Sequence, residues 1–177
     1  MHIDALGLLI PAHFISSPNF DTRPEDTRPC LIVIHNISLP PNTYGGNGII
    51  ELFTNRLDAT AHPYYETIKD LLVSSHFLIR RDGELLQFVP CTQRAWHAGV
   101  SNWRGRERCN DFSLGIELEG SDFEPFTEAQ YATLLVLTET LRNTYPIEDI
   151  VGHNDIAPGR KTDPGPYFDW SRLSHAL

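Results

Sequence analysis

The sequence predicts an α/β protein: a single domain, residues 1–177, with a central mixed β-sheet flanked by α-helices. Three observations predict it. The segment LIVI, residues 31–34, is a short apolar run typical of a buried central strand. The segment SLGIELEG, residues 113–120, alternates with a period of two, as a strand does. Residues 127–143 have the apolar spacing of an amphipathic helix, and interleaved strands and helices favour a mixed sheet covered by helices.

Loops and short elements alternate through the first half of the chain. Residues 15–29 and 38–48 are rich in proline, glycine and polar side chains, which predicts surface loops. Helices are expected from about Ile49 and from near Pro63. Residues 75–90 are predicted to form a β-hairpin, because an Asp-Gly pair separates two strand-like runs.

The helix over residues 127–143 carries its own start signal. Thr127 is predicted to be the N-cap, and Gln130 completes a capping box three residues later. Pro146 closes the segment, and Ile150-Val151 is predicted to be a further short strand. The inward-facing stripe of the helix is expected to comprise Tyr131, Leu134, Leu135, Thr138 and Leu141.

Composition excludes several classes of function. The formal net charge is −9, which argues against non-specific binding to nucleic acid. No segment approaches the ~20 apolar residues of a membrane span, and the N-terminus does not have the pattern of a secretory signal, so we expect a cytoplasmic protein without membrane attachment. Cys30, Cys91 and Cys109 are odd in number and widely spaced, which predicts small apolar side chains, buried or half-buried, rather than a disulfide framework.

Two histidines stand where predicted strands end. His35 follows the LIVI run, and His153 follows Ile150-Val151-Gly152. Reactive groups collect at strand ends in α/β sheets, because the strand ends face the crevice in which ligands bind. We therefore expect the two imidazoles to share one site.

The segment GHNDIAPGRKTDPG, residues 152–165, is predicted to be neither a helix nor a regular strand. Pro164 biases Asp163 toward an extended conformation, in which Lys161 and Asp163 project to the same side and back toward His153. Two imidazoles and one carboxylate would form a three-ligand Zn²⁺ site with a fourth position open to water. The alternative is a solvated turn in which Asp163 bonds only to its own backbone.

A zinc hydrolase also needs a base beside the metal. Glu117 and Glu119 lie on one predicted face of the SLGIELEG strand, behind Gly115, which leaves room on that face. Glu117 is deeper in the strand, so a pKa tuned by burial favours it as the general base. Glu119 stands near the strand end and is predicted to lie at the surface. Solvent exposure of both carboxylates is the alternative interpretation.

The chain resembles the zinc-dependent N-acetylmuramoyl-L-alanine amidases in the segments RAWHAG, NDFSLGIELEG and GHNDIAPGRKTDPGP. Their AmpD type, the 1,6-anhydro-N-acetylmuramoyl-L-alanine amidases, is the most similar. The likeness runs over essentially the whole chain, from LIVIHNISLPP to the C-terminal DW. It implies the mixed-sheet fold of the amidase and peptidoglycan-recognition-protein superfamily. It also implies that His35, His153 and Asp163 bind zinc, that Glu117 is the general base, and that Lys161 stabilises the oxyanion.

The resemblance further implies a reaction and a substrate. The reaction is hydrolysis of the amide between the lactyl group of (1,6-anhydro)-N-acetylmuramic acid and the L-alanine of the stem peptide, in cytosolic muropeptide recycling. We expect a small muropeptide as the substrate and a monomeric enzyme. Two alternatives stay open: a broader, endolysin-like cell-wall amidase, and a peptidoglycan-binding module without activity.

Candidate substrate contacts come from residues 96–111, which are predicted to form a loop. Three arginines cluster there: Arg104, Arg106 and Arg108. Arg108 is the preferred clamp for a stem-peptide carboxylate, and Trp96 is a candidate for stacking on sugar or peptide. A solvated basic loop and buried packing are the respective alternatives. His76 and His97 are expected to be structural or to support the zinc ligands.

Overall fold

The computed structural model describes residues 1–174 of the chain. Its strands are β1 (His2–Ile3), β2 (Leu9–Ile10), β3 (His13–Phe14), β4 (Phe20–Thr22), β5 (Leu31–Ile37), β6 (Phe77–Ile79), β7 (Leu85–Gln87), β8 (Gln93–Ala95), β9 (Asn102–Trp103), β10 (Arg106–Glu107), β11 (Ser113–Glu119) and β12 (Asp149–Gly152). Its α-helices are α1 (Gly48–Phe53), α2 (Pro63–Ile68), α3 (Glu128–Thr144), α4 (His153–Ile156) and α5 (Ser171–Ser174), and a 3₁₀ helix spans Cys109–Asp111.

Six strands form the central sheet in the order β12-β5-β11-β6-β7-β3. The first four run parallel to one another, β7 is antiparallel to β6, and β3 pairs in parallel with β7. The mixed sheet predicted from the sequence is therefore confirmed, and the predicted hairpin is the β6–β7 pair. Three two-stranded ribbons, β1–β2, β4–β8 and β9–β10, complete the β-structure of the described residues.

Helix α3 covers one face of the sheet. The predicted capping box is present: Thr127 Oγ1 accepts from the Gln130 N–H at 3.1 Å, and Gln130 Oε1 accepts from the Thr127 N–H at 3.0 Å. The buried stripe includes Leu137, which was not expected, whereas Leu135 is only half-buried at its margin. The stripe packs on alternate residues of two central strands: Ile32, Ile34, Leu114, Ile116 and Leu118.

The opposite face of the sheet is covered as well. Helices α1 and α2 pack there on Leu78 and Leu86, and all seven residues of β11 are buried. Glu119, predicted to lie at the surface, is only 2% exposed. The alternation in β11 therefore marks two covered faces of different chemistry, not one covered and one solvated face.

Three local predictions need correction. Strand β5 continues to Ile37, so His35 lies within the strand, because β11 pairs with β5 along its whole length. The segment 152–165 opens with the one-turn helix α4, whose N-terminal Gly152 N–H donates to Asp155 Oδ2 at 2.7 Å. The predicted loop 96–111 contains the β9–β10 ribbon and the 3₁₀ helix.

The described residues contain no helix with both the length and the apolar character needed to cross a bilayer. They contain no disulfide either. Cys91 and Cys109 are buried and Cys30 is half-buried, and all three are free thiols, as their spacing predicted.

Candidate active site

Three neighbouring parallel strands bring the predicted site residues together. In the β5–β11 pairing His35 lies opposite Glu117, and in the β5–β12 pairing Gly152 lies opposite Ile34. His153, the next residue, consequently reaches the level of His35. His35 and Glu117 project from the face opposite α3, because Ile34 and the other residues that alternate with them contact that helix.

Asp163 completes a compact group of three ligand atoms. His35 Nδ1, His153 Nδ1 and Asp163 Oδ2 form a triangle whose edges are each 3.0 Å. Within residues 1–174 no other group of three or more His, Cys, Asp and Glu side chains lies close enough together to hold a metal ion. The centre of the triangle lies roughly 1.7 Å from each atom (the edge divided by √3), slightly less than zinc–ligand distances of about 2.0–2.2 Å. The donor set of two imidazole nitrogens and one carboxylate oxygen would therefore suit a zinc ion.

The hydrogen bond on the far side of the His153 ring shows which nitrogen faces the ion. His153 Nε2 lies 3.0 Å from the Ala98 carbonyl oxygen, which can only accept, so Nε2 carries the proton and Nδ1 presents a lone pair. That lone pair faces the Asp163 carboxylate at 3.0 Å. Either a proton on Nδ1 or a metal cation has to lie between two such atoms to offset their repulsion. This arrangement is a second observation in favour of a metal site.

His35 is oriented by another imidazole. Its Nε2 lies 2.9 Å from His97 Nδ1, and His97 Nε2 lies 3.1 Å from Ser113 Oγ. With His35 Nδ1 as a ligand, its Nε2–H donates to His97 Nδ1, and the His97 Nε2–H donates to the Ser113 hydroxyl. His97, expected from the sequence to be structural or supporting, is thus placed to hold the His35 ring in orientation.

The environment keeps these groups in the forms that bind a metal. Burial lowers the pKa of His35 to about 4 and holds the pKa of His97 well below its ordinary value. Burial acts to raise the pKa of Asp163, but its close interactions with His153 and His35 outweigh this effect and leave that pKa below its usual range. Neutral imidazoles and an ionised carboxylate are the forms that metal binding requires.

The turn that carries Asp163 is held from two sides. The Asn154 N–H donates to the Asp163 carbonyl at 2.9 Å. The Asn36 amide donates to the Pro164 carbonyl at 3.0 Å and to Asp122 Oδ1 at 2.7 Å. The Asp163–Pro164 peptide bond is cis. Strand β5 therefore supplies His35 and, through its neighbour Asn36, also fixes the turn that returns the carboxylate.

Glu117 is buried beside the metal group, at 8% exposure. Its Oε2 has no hydrogen-bond partner among the described residues. Burial raises the pKa of Glu117 well above its usual value, the charge of Asp163 adds to this, and the charge of Lys161 opposes it. Gly115 lies on the same face, and a Cβ added there would lie 2.6 Å from His97 Cγ. The room expected next to Gly115 is thus filled by the His97 ring.

A cleft of about 370 Å³ lies over these residues. Lys161 and Asp163 both line it and Thr162 does not, as the extended trace predicted. Lys161 is exposed, and within residues 1–174 its ammonium makes no hydrogen bond or ion pair. Much of the remaining lining is apolar, and we call it the apolar wall; it comprises Leu39, Pro41, Leu52, Tyr64, Ile68 and Leu71.

This combination of fold and site matches a known family. The sequence model described as N-acetylmuramoyl-L-alanine amidase matches residues 25–166, which include the metal group, Glu117 and Lys161. The chain belongs to the N-acetylmuramoyl-L-alanine amidase family. The family expected from the sequence motifs is thereby confirmed.

Individual relatives support the same assignment. This amidase is 57% identical over 173 residues to the 1,6-anhydro-N-acetylmuramyl-L-alanine amidase AmpD of Enterobacter cloacae, covering 97% of this chain and 92% of the relative. A crystal structure of a selenomethionine AmpD derivative matches with a TM-score of 0.97 at 54% identity, covering 100% and 99% of the two chains. Escherichia coli AmiD, solved in complex with anhydro-N-acetylmuramic acid-L-Ala-D-gamma-Glu-L-Lys, matches with a TM-score of 0.62 at 32% identity, covering 86% of this chain and 60% of that chain.

The two predicted substrate contacts of the amidase lie in different places. Trp96 lines the cleft, and its buried Nε1 has no hydrogen-bond partner within residues 1–174. The Arg108 side chain does not line the cleft. It is 70% exposed, its Nε lies 3.3 Å from Asp111 Oδ2, and it borders a separate depression together with Arg160. A clamp at Arg108 stays a prediction, and the structure does not bring that residue to the metal group.

Sequence reasoning missed several parts of this amidase site. The apolar wall was not expected, although the periodic apolar residues of α1 and α2 were a usable signal. Asn36 was passed over, although it follows His35 directly. The Ala98 carbonyl carries no signal in the sequence, because every residue has a carbonyl group.

Proposed function

We propose that this amidase hydrolyses the amide between the lactyl group of 1,6-anhydro-N-acetylmuramic acid and L-alanine, with Zn²⁺ bound by His35, His153 and Asp163, in the cytoplasm. One observation carries the proposal. Three acceptor atoms at mutual distances of 3.0 Å share a cleft with the buried, unpartnered carboxylate of Glu117. Three atoms of the types that bind zinc, placed next to an unpartnered carboxylate, are the groups that a metal-dependent hydrolase requires.

The metal ligands are held by partners of their own. A zinc ion bound by His35, His153 and Asp163 would supply a Lewis acid for the amide carbonyl and would lower the pKa of water from about 15.7 toward about 7. The Ala98 carbonyl and His97 fix the two imidazoles so that their Nδ1 lone pairs face one point. The fixed ligands leave one side of the group open to the cleft, where the substrate amide enters.

Glu117 performs the proton transfers. Its Oε2 takes a proton from the attacking water as the oxygen forms its bond to the lactyl carbonyl carbon. It then donates this proton to the departing nitrogen of L-alanine as the carbon–nitrogen bond breaks. The products are a lactyl carboxylate and a free amine. Its raised pKa suits both roles near neutral pH, because the carboxyl group must accept and release a proton in one cycle.

Lys161 stabilises the charge that develops on the carbonyl oxygen. Its ammonium lines the cleft and has no competing partner among the described residues. Removing one such preorganised group from other enzymes lowers turnover by about 10²–10³. Lys161 also acts locally against the repulsion between a chain of net charge −9 and an anionic stem peptide.

The substrate assignment rests on two supports. The apolar wall of the cleft offers a surface for the sugar and lactyl group, opposite the polar residues that act on the amide. The relative AmiD was solved with a ligand that contains the same anhydro-N-acetylmuramic acid–L-Ala linkage.

The decisive experiment compares two substrates with and without metal. Purified anhydromuropeptide and intact sacculi are digested, each with and without a chelator, and the products are identified by mass spectrometry. We expect cleavage between the lactyl group and L-alanine of the anhydromuropeptide, loss of cleavage with chelator, and recovery on adding zinc. Equally fast release from sacculi would favour the endolysin-like alternative. No product from a zinc-loaded sample would favour a binding module.

A further inference from the structure

Glu119 is a buried carboxylate that the proposed reaction does not use. It ends β11 two residues beyond Glu117 and lies on the same face of the strand. Its Oε1 accepts from the Gly45 N–H at 2.7 Å, and its Oε2 accepts from the Arg81 N–H at 3.2 Å. The Arg80 guanidinium lies 3.7 Å from Oε1. Two backbone donors and one cation therefore compensate the buried charge.

The Gly45 N–H belongs to the segment 38–47, which we name the cleft loop. Three contacts hold its far end. Glu119 holds Gly45, the Gly46 carbonyl accepts from Arg80 Nη1 at 2.9 Å, and the Tyr44 hydroxyl donates to Glu124 Oε1 at 2.7 Å. Glu119 makes one of these contacts directly, and its Oε1 lies 3.7 Å from the Arg80 Nη1 that makes another.

The near end of the cleft loop forms part of the cleft. Ser38, Leu39 and Pro41 line it, three to six residues after the metal ligand His35. Leu39 is buried and packs within the same apolar cluster as α1. The contacts at the far end of the loop and the packing of Leu39 together hold this wall relative to the metal group.

We propose that Glu119 is a positioning residue that fixes the cleft loop, so that the loop presents its wall to the substrate. Strand β11 then has two tasks on one face: Glu117 acts on the amide, and Glu119 holds the surface that binds the rest of the molecule. Glu119 itself does not line the cleft. Its loss weakens substrate binding and leaves the chemical step largely intact.

The variant Glu119→Gln tests the proposal with little change of shape. The new side-chain amide nitrogen would face the N–H of either Gly45 or Arg81, so that two hydrogen-bond donors point at each other. The negative charge beside Arg80 is lost as well. The matched control is Glu84→Gln, which also removes a carboxylate near Arg80, 3.1 Å from its Nε. Glu84 is half exposed and makes no bond to the cleft loop.

Kinetics and hydrogen exchange give separate readouts. For Glu119→Gln we expect KM to rise about tenfold, because one charge-assisted hydrogen bond is lost. The value of kcat should stay within about twofold of that of the unmodified chain, and the zinc content should not change. We expect the Gly45 amide to exchange about tenfold faster with deuterium, while α3 amides keep their rates. Glu84→Gln should match the unmodified chain in both. The kinetic readout rests on the proposed function, whereas the exchange readout does not.

Several outcomes would overturn the proposal. Unchanged exchange at Gly45 together with an unchanged KM is one. A fall in kcat at constant KM is another, and an equal KM increase in Glu84→Gln is a third. If Glu119→Gln does not fold, Glu119→Asp takes its place as the test. Aspartate keeps the charge, but its side chain is one methylene shorter, so the carboxylate no longer reaches the Gly45 N–H. It should show the same faster exchange, and protection equal to the unmodified chain would contradict the positioning role.

Discussion

At the scale of single residues, the hydrogen-bond partners of each histidine decide which of its ring nitrogens is free to bind a metal. The Ala98 carbonyl can only accept, so it fixes the His153 tautomer. With His35 Nδ1 as a ligand, the His35 Nε2–H donates to His97 Nδ1 and the His97 Nε2–H donates to the Ser113 hydroxyl. Both ligand nitrogens then turn lone pairs toward the same carboxylate oxygen. The metal preference is set by these partners as much as by the ligands themselves.

Replacing Glu117 by Gln removes the base but keeps the shape of the side chain. We expect turnover to fall by about 10²–10⁴, because an amide cannot accept the proton of the attacking water. Zinc content, measured by atomic emission, should stay at the level of the unmodified chain. Glu139→Gln, an exposed position on α3, is the control and should retain full turnover. Activity above about half would refute the assigned role.

Replacing His97 by Phe keeps a ring against Gly115 but removes the acceptor for His35. We expect zinc to bind about 10–100-fold more weakly, the usual cost of losing such a supporting partner. Competition with a chromophoric chelator measures the change. Ser113→Ala removes only the next bond in the chain and should have a smaller effect. Equal zinc affinity in His97→Phe and the unmodified chain would show that His35 needs no such support.

The sequence could indicate the proposed ligands and base because histidine, aspartate and glutamate are distinctive side-chain types, although His35 and Glu117 lie within strands and not at their ends. It could not indicate how each position is covered in three dimensions. Glu119 was expected at the surface, yet the cleft loop and the β6–β7 hairpin bury it. Arg108 was expected to clamp the substrate, yet the fold places it outside the cleft. Both outcomes depend on packing between segments that are distant in the chain.

At the scale of elements, the register of β11 against β5 assembles the site. It sets Glu117 opposite His35. A slip of one residue would turn Glu117 toward α3, because alternate side chains of a strand face opposite sides. Helix α3, its capping box and the hairpin could be predicted from local patterns. The register of β11 against β5 could not be predicted, because it joins strands more than 80 residues apart in the chain. The very short strands and the one-turn helices could not be predicted either, because they are too short to show a periodic pattern.

Gly115→Ala tests how closely β11 and the metal group are packed. The new Cβ would lie 2.6 Å from His97 Cγ, so the ring has to move and His35 loses its partner. We expect a loss of about 1–3 kcal/mol in the free energy of unfolding, the usual cost of overpacking, together with weaker zinc binding. Denaturant titration and zinc competition measure these two effects.

Gly46→Ala is the matched control for that substitution. Its added Cβ has no neighbour closer than 4.0 Å, so it should leave zinc affinity unchanged. Full zinc affinity in Gly115→Ala would mean that the His97 ring can shift without consequence for His35.

At the scale of the whole molecule, a row of imidazoles leads from the interior to the metal group. Ring centroids lie 5.8 Å apart for His76 and His97, 5.1 Å for His97 and His35, and 4.5 Å for His35 and His153. At its inner end the row meets the Arg23 guanidinium, 3.1 Å from His76 Nε2. The high histidine count was visible in the sequence, but the continuous row is a product of the fold.

This row makes the stability of the metal-free protein dependent on pH. Burial is the largest cause that lowers the pKa of His35 to about 4, and it also holds the pKa of His76 and His97 well below 6.5. Between about pH 6.5 and pH 4 the unfolded chain therefore binds protons that the folded chain does not. Each such histidine lowers the free energy of unfolding as pH falls through this window, by at most about 1.4 kcal/mol per pH unit, whereas the raised pKa of Glu117 acts in the opposite sense.

His76→Gln separates this effect from the chemistry of the metal site. The His76 ring accepts from the Gly115 N–H through Nδ1 and lies 3.1 Å from the Gln93 carbonyl through Nε2. A glutamine side chain offers one acceptor and one donor but takes up no proton in this range. For the metal-free variant, the free energy of unfolding, measured with denaturant, should therefore change less steeply with pH, by the equivalent of about one proton. The control is His13→Gln, which removes an exposed imidazole and should keep the pH dependence of the unmodified chain. An unchanged slope in His76→Gln would mean that the folded chain already admits the proton, and that His76 is hydrated enough to carry its charge despite its burial.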